Sequence, residues 1–152
     1  MPGRQRNSEV GQWGENVAAK WLADAGYTIV GRRVRPTRHD EIDIVALKGD
    51  TLAFVEVKTR GSAAFGRPAA AVNAAKKKAL CRAASAFLRK MSFPNLYYRW
   101  DIIEVLGSPE GPAPRVNHLE NAFQFPLRYR FSRQAPEPRR GVKGFWTWLF
   151  GR

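Results

Sequence analysis

The stretch "EIDIVALKGDTLAFVEVKTR", residues 41–60, places Asp43, Glu56 and Lys58 inside two short apolar runs that otherwise read as strands. Paired carboxylates suit a hard divalent cation, Mg²⁺ or Mn²⁺, because such ions prefer oxygen ligands. Whether the two acids meet depends on the turn between them. Gly49-Asp50 suits a two-residue hairpin loop, and a loop centred there sets Asp43 opposite Glu56 and Glu41 opposite Lys58. Side-chain roots of directly opposed residues lie about 4.5–5.5 Å apart on one face, so the two acids repel unless a cation stands between them. A four-residue loop, Lys48 to Thr51, keeps this register, whereas a three-residue loop sends the acids to opposite faces. Along the second strand Phe54, Glu56, Lys58 and Arg60 share one face, and Val55, Val57 and Thr59 the other. Glu-x-Lys alone is the ordinary pattern of a half-exposed strand. The opposed aspartate gives it chemical meaning.

Other elements must position this pair. Residues 8–25 carry apolar side chains at Val10, Trp13, Val17, Ala18, Trp21, Leu22 and Ala25, the spacing of an amphipathic helix. Asn7 or Ser8 suits its start and Gly26 its end. Glu15 falls at the edge of this stripe, either as a solvated flank residue or as one leaning toward whatever the helix covers. "YTIVGRRV" reads as a first strand and "RPTRHD" as the loop after it. Following "GSAAFGRP", a helix is expected from about Ala69 to Lys90, with Val72, Ala79, Leu80, Ala83 and Phe87 on one face. Lys76 sits among them, and either snorkels to solvent or points at an anion beneath the helix. "YYRWDIIEVL", 97–106, reads as a further strand, and a Gly/Pro-rich loop leads from it to "NHLENAF".

The 152 residues fit one ordinary domain with a core of its own. Lysine and arginine number 26 against 13 acids, a formal +13. Such a field attracts phosphate backbones and makes binding strongly salt-dependent, so nucleic acid is the expected partner; the alternatives are a purely solubilising charge or a floppy basic tail. From Gln124 onward seven basic residues and one acid give +6, leaving +7 for residues 1–123. The body is basic without its tail. Cys81 stands alone and cannot form an internal disulfide, and "MPGRQRNSEVG" lacks the apolar run of a secretory signal, which points to the cytoplasm. No apolar run approaches the roughly 18–20 residues of a transmembrane helix.

Asp43, twelve intervening residues and Glu56-Val57-Lys58 resemble the PD-(D/E)-x-K signature of restriction-endonuclease-like nucleases, with a spacing similar to that of archaeal Holliday-junction resolvases. "GQWGENVAAKWL", "EIDIVA", "FVEVKTR", Lys76 in its alanine-rich helix, "RWDIIEV" and "HLENAF" together resemble the YraN-like family, over most of residues 11–123. The resemblance implies an α/β fold, a central mixed sheet flanked by helices in the order α-β-β-β-α-β. It implies a Mg²⁺- or Mn²⁺-dependent endonuclease acting on DNA, structure-specific for branched or single-stranded forms, and suggests a homodimer by analogy with resolvases. Asp43 and Glu56 match the metal ligands, with the Val57 carbonyl as a further oxygen and Glu15 as the helix glutamate that completes the site. Lys58 matches the lysine that orients or activates the attacking water. Lys76 matches a basic helix position suited to a phosphate; beside it, Arg32, Arg33, Arg35, Arg38 and Arg60 are expected to supply nucleic-acid backbone contacts that position without reading sequence.

One departure from the family pattern is Asp40 before Glu41-Ile42-Asp43, where the family has glycine. Aspartate either tolerates the left-handed backbone there or alters metal affinity. His39 beside it is a loop histidine, either solvated or a base. The expected division is a nuclease-like domain, 1–123, and a basic, aromatic tail, 124–152, whose "GFWTWLFG" docks on its own domain or a dimer mate. Two rivals stand beside the nuclease: a non-catalytic nucleic-acid-binding module of the same fold, and an interaction protein whose acids are structural.

Overall fold

Strands buried on both faces need cover on both faces, and the chain supplies one helix for each. The computed structural model describes residues 2–61 and 72–123, with side chains of the first helix from Ser8 onward. The elements run α1 (Pro2–Asp24), β1 (Thr28–Val34), β2 (Ile42–Lys48), β3 (Thr51–Arg60), α2 (Ala74–Lys90), β4 (Tyr97–Leu106) and β5 (Arg115–Phe123). This is the expected order with a fifth strand added from "NHLENAF". The five strands form one sheet in the order β1-β2-β3-β4-β5, antiparallel throughout except for the parallel β3/β4 pair. That pair is joined through α2, because a parallel connection needs a long crossover.

Strand alternation sorts the core into two layers. Phe54, Trp100 and Ile102 pack with Leu80, Ala84, Phe87 and Leu88 of α2. Val55, Ala53, Ile103 and Val105 pack with Ala18 and Leu22 of α1. Fully burying each large apolar side chain is worth roughly 1.5–3 kcal/mol, so these layers supply what offsets charged groups held between sheet and helices. No helix among the described residues is long and apolar enough to cross a membrane.

Helix boundaries differ from the sequence reading. α1 begins at Pro2 and runs through Asn7 and Ser8, which therefore do not cap it. A proline suits the first turn of a helix, where its missing N–H costs nothing. Gly26, at φ +88°, ends the helix as expected. Trp21 lies outside the buried face at 43% exposure, and only Ala18 and Leu22 of the apolar stripe are fully covered. α2 starts at Ala74, not near Ala69, because the Asn73 side chain accepts the Lys76 N–H at 2.9 Å and fixes the first turn. The stretch 62–71 and the tail 124–152, with its expected docking cluster, lie outside the described residues.

Gly14 sets the spacing between α1 and the sheet. A Cβ there would collide with Thr59 Oγ1, and would sit 3.0 and 3.1 Å from Thr59 Cβ and Cγ2. The helix therefore lies directly on β3 at the end where the acids are. Gly14→Ala is expected to destabilise the protein by about 1–3 kcal/mol, the usual range for overpacking. Thr59→Ala should restore part of that loss by removing the nearest atom. Urea midpoints of the two single variants and the double variant measure both effects.

Candidate metal centre at the open end of the hairpin

The β2–β3 hairpin closes over Gly49-Asp50, with Lys48 paired to Thr51 and Ile44 to Val55. Of the two loop residues only Gly49 takes a positive φ, +59°. The ladder holds the expected register, whose next step past Ile44–Val55 sets Asp43 against Glu56. There the regular pairing stops and the Asp43 side chain takes over, its Oδ2 accepting the Val57 N–H at 2.7 Å. Facing also changes at this point: Val45 and Leu47 belong to the α2 layer and Ile44 and Ala46 to the α1 layer, but Ile42 packs in the α2 layer, out of alternation. Asp43 sits at the irregularity.

An open pocket of 390 Å³ lies at this end, lined by Val10, Gly11 and Glu15 of α1, by Asp43, and by Glu56 to Thr59 of β3. Glu56 is only 3% exposed. One of its oxygens, Oε1, receives both neighbouring cations, Lys58 Nζ at 2.9 Å and Lys76 Nζ at 3.4 Å. The other, Oε2, is buried with no hydrogen-bond partner among the described residues. Leaving a buried carboxylate oxygen bare costs about 1–3 kcal/mol or more, so Oε2 calls for a partner of its own even though two lysines already answer the charge on Oε1. Asp43 is pushed up from its ordinary value of 3.8 to about 7. Burial is the main cause, the charge of Glu56 comes next, and Glu15 adds a smaller push, while the Val57 N–H and Lys76 act the other way.

Each site residue expected from sequence has a definite place. Asp43, Glu56 and Lys58 gather at the pocket, and Lys76 reaches in from the first turn of α2. The anion beneath that helix is Glu56. Glu15 lines the same pocket but is turned to Arg33, whose Nε and Nη2 stand 2.7 and 3.3 Å from its carboxylate oxygens. Among the described residues no three acidic, histidine or cysteine side chains converge as a finished metal cage. The arginines expected at a nucleic-acid backbone are engaged within the protein: Arg32 with Asn16 at 2.6 Å, Arg35 with Glu41 at 2.5 Å and Arg60 with Glu104 at 3.4 Å.

Two expectations about the preceding loop change. Asp40 does not take the left-handed backbone, which falls instead on Arg33 at φ +48°. Asp40 is also not turned to Asp43 and Glu56. Its carboxylate accepts a two-pronged grip from Arg82 of α2 at 2.7 and 2.8 Å and a hydrogen bond from Thr37 at 2.9 Å. The Arg82 hydrogen bond is the main reason its carboxyl is held below the usual range. The departure from glycine thus ties the loop before β2 to α2. His39 is exposed.

The raised Asp43 carboxyl makes stability depend on pH. Between its ordinary value of 3.8 and about 7 the folded chain holds a proton that the unfolded chain has released, so stability falls as pH rises through that window. Asp43→Asn, which can still accept the Val57 N–H, should remove this component and leave the variant more stable than the parent near pH 8 without added metal. A difference on the order of a few kcal/mol is expected, read from urea unfolding of both proteins at several pH values.

The model of a family described as "Uncharacterised protein family UPF0102" matches residues 14–105. A UPF0102 protein of Symbiobacterium thermophilum is 43% identical over 114 residues, covering 75% of this chain and 95% of that protein. One from Geobacter sulfurreducens is 41% identical over 123 residues, 80% of this chain and 94% of the relative. Another, from Chlorobaculum parvum, is 44% identical over 118 residues, 75% and 91% of the two chains. The matched span takes in Glu15, the hairpin acids, Lys58 and Lys76, and with relatives this similar over most of both lengths, the chain belongs to the UPF0102, or YraN-like, family.

Proposed function

We propose that this chain is a metal-dependent nuclease of restriction-endonuclease-like fold that hydrolyses DNA phosphodiester bonds, acting on branched or single-stranded forms, at the pocket shared by Asp43 and Glu56. The observation that carries this reading is the bare, buried Oε2 of Glu56 beside a carboxyl pushed up to about 7. Both features are relieved by one divalent cation. Mg²⁺ is commonly held by one or two carboxylates, with water and substrate phosphate completing its shell, so Asp43 and Glu56 suffice as its protein anchors. Mn²⁺ suits the same oxygens. When bound, such an ion polarises a phosphoryl oxygen and acidifies a water.

The protein's own groups do the remaining work. Lys58 holds a positive charge at the pocket wall, where negative charge grows on the phosphoryl group in the transition state. Lys76 adds a second, from a helix start that carries no acid in its first turn. Arg32, Arg33 and Arg60, now engaged with Asn16, Glu15 and Glu104, suit contacts that position a backbone without reading bases once they exchange partners. A five-stranded mixed sheet with a helix on each face, and acids on its β2–β3 hairpin, supports the fold assignment. The basic balance of residues 1–123 supports nucleic acid as the partner.

A second reading has its own support. Glu15 is already neutralised by Arg33, and Glu56 by Lys58 and Lys76, which is what a non-catalytic nucleic-acid-binding module of this fold would show. Purified protein incubated with branched and single-stranded DNA and Mg²⁺ or Mn²⁺ separates the two. Cleavage that vanishes in Asp43→Ala/Glu56→Ala, and falls about 10²–10³-fold in Lys58→Met while DNA binding persists, is the expected outcome. Binding unaffected by metal and by all three substitutions, with no cleavage in any protein, supports the module instead.

A further inference from the structure

We infer that Arg33 couples the two ligands of the pocket: it holds Glu15 away from the cation, and a phosphate that takes Arg33 frees Glu15 to become the third acidic ligand. The inference rests on the metal-centre reading above. Without a cation, the charges in and around the pocket are balanced. Glu15 is matched by Arg33 and Glu56 by Lys58 and Lys76, while the Asp43 carboxylate accepts the Val57 N–H. A divalent cation entering among Asp43, Glu56 and Glu15 therefore meets a site whose third acid is already spent on an arginine.

The Glu15–Arg33 pair is built to exchange. Its arginine is 45% exposed and its glutamate 12% exposed. With its arginine reaching that far into water, the pair is weakened by solvent screening, so its guanidinium can change partners. Arg33, on a left-handed backbone at φ +48°, meets the pocket through its bonds to Glu15 and lies in the combined field of Glu15, Glu41 and Asp43. A phosphate offers its guanidinium the same two-pronged geometry that the carboxylate gives now. Once Arg33 has turned to that phosphate, Glu15 faces two more carboxylates across the pocket, an arrangement that only a cation makes tolerable. Each ligand thus favours the other, and the coupling is reciprocal.

Mn²⁺ binding followed by electron paramagnetic resonance, on full-length protein without nucleic acid, tests the metal side. Arg33→Met should tighten Mn²⁺ by about 5-fold or more, and the same change in a Glu15→Gln background should have no such effect, because the arginine then has no ligand to withhold. Arg33→Gly, which suits the left-handed backbone, serves as a second variant, and circular dichroism verifies folding in each. In EDTA, Glu15→Gln should tighten binding of a fluorescent single-stranded oligonucleotide in the Arg33 protein and not in Arg33→Met. Equal tightening of Mn²⁺ in both backgrounds would mean simple charge repulsion and overturns the exchange alone, provided Asp43→Asn abolishes Mn²⁺ binding. Mn²⁺ binding that is absent, or indifferent to Asp43→Asn, overturns the metal-centre reading and the exchange with it.

Discussion

Two carboxylates forced into one another's field at the end of a hairpin are the constraint to which the surrounding charges answer. At an effective dielectric constant near 20, two unit charges about 5 Å apart repel by roughly 3 kcal/mol, more than a surface ion pair returns. The chain meets this repulsion from several sides at once. The Val57 N–H caps Asp43, Lys58 and Lys76 hold one oxygen of Glu56, and Asp43 itself moves toward the protonated form. None of these groups would be in reach without the packing of Phe54, Trp100 and α2 on one side and of α1 on the other. The hydrophobic layers give the stability that the charged end consumes.

What the sequence disclosed was what local rules determine. A two-residue loop leaves the hairpin one register, and alternation then places Lys58 beside Glu56. Asn73 supplied a cap signal that a helix start near Ala69 overlooked. The apolar stripe of the first helix was read correctly as a stripe, but periodicity does not say how wide a contact the sheet offers. Gly14 brings the helix down along a narrow line over Thr59, so Ala18 and Leu22 are covered and Trp21 is not. The partnerships that hold the site were illegible for a different reason. Glu15 and Arg33 are 18 residues apart, Asp40 and Arg82 are 42 apart, and neither spacing corresponds to any helix or hairpin period. Only the assembled sheet brings them together.

A second charged cluster lies away from the pocket, and "RWDIIEV" and "HLENAF" contain most of it. Asp101 is fully buried on the α1 side of β4, at the irregularity in the β4/β5 ladder. Arg99 lies 3.0 Å from its Oδ1, His118 lies 2.8 Å from its Oδ2, and the N–H of Asn121, itself at φ +51°, donates to Oδ1 at 2.9 Å. Arg99 continues to the Tyr27 hydroxyl at 2.6 Å, which donates to Glu120 at 2.9 Å. Burial raises the Tyr27 hydroxyl, and the bond from that hydroxyl lowers the Glu120 carboxyl. The cluster pins β5 to β4 and to Tyr27, just before β1.

Comparison of Asp101 with Glu56 gives a physical criterion for telling a carboxylate completed by the fold from one left incomplete. Asp101 is the more deeply buried, yet both of its oxygens have protein donors and its charge is fully answered inside the fold. Glu56 has two lysines crowded onto one oxygen and, among the described residues, no hydrogen-bond partner on the other. If burial alone marked function, Asp101 would be the better candidate. Because the cost of burying a charge is set by what remains unpaired, Glu56 is the residue whose environment is incomplete, and its incompleteness faces the pocket it shares with Asp43 and Glu15.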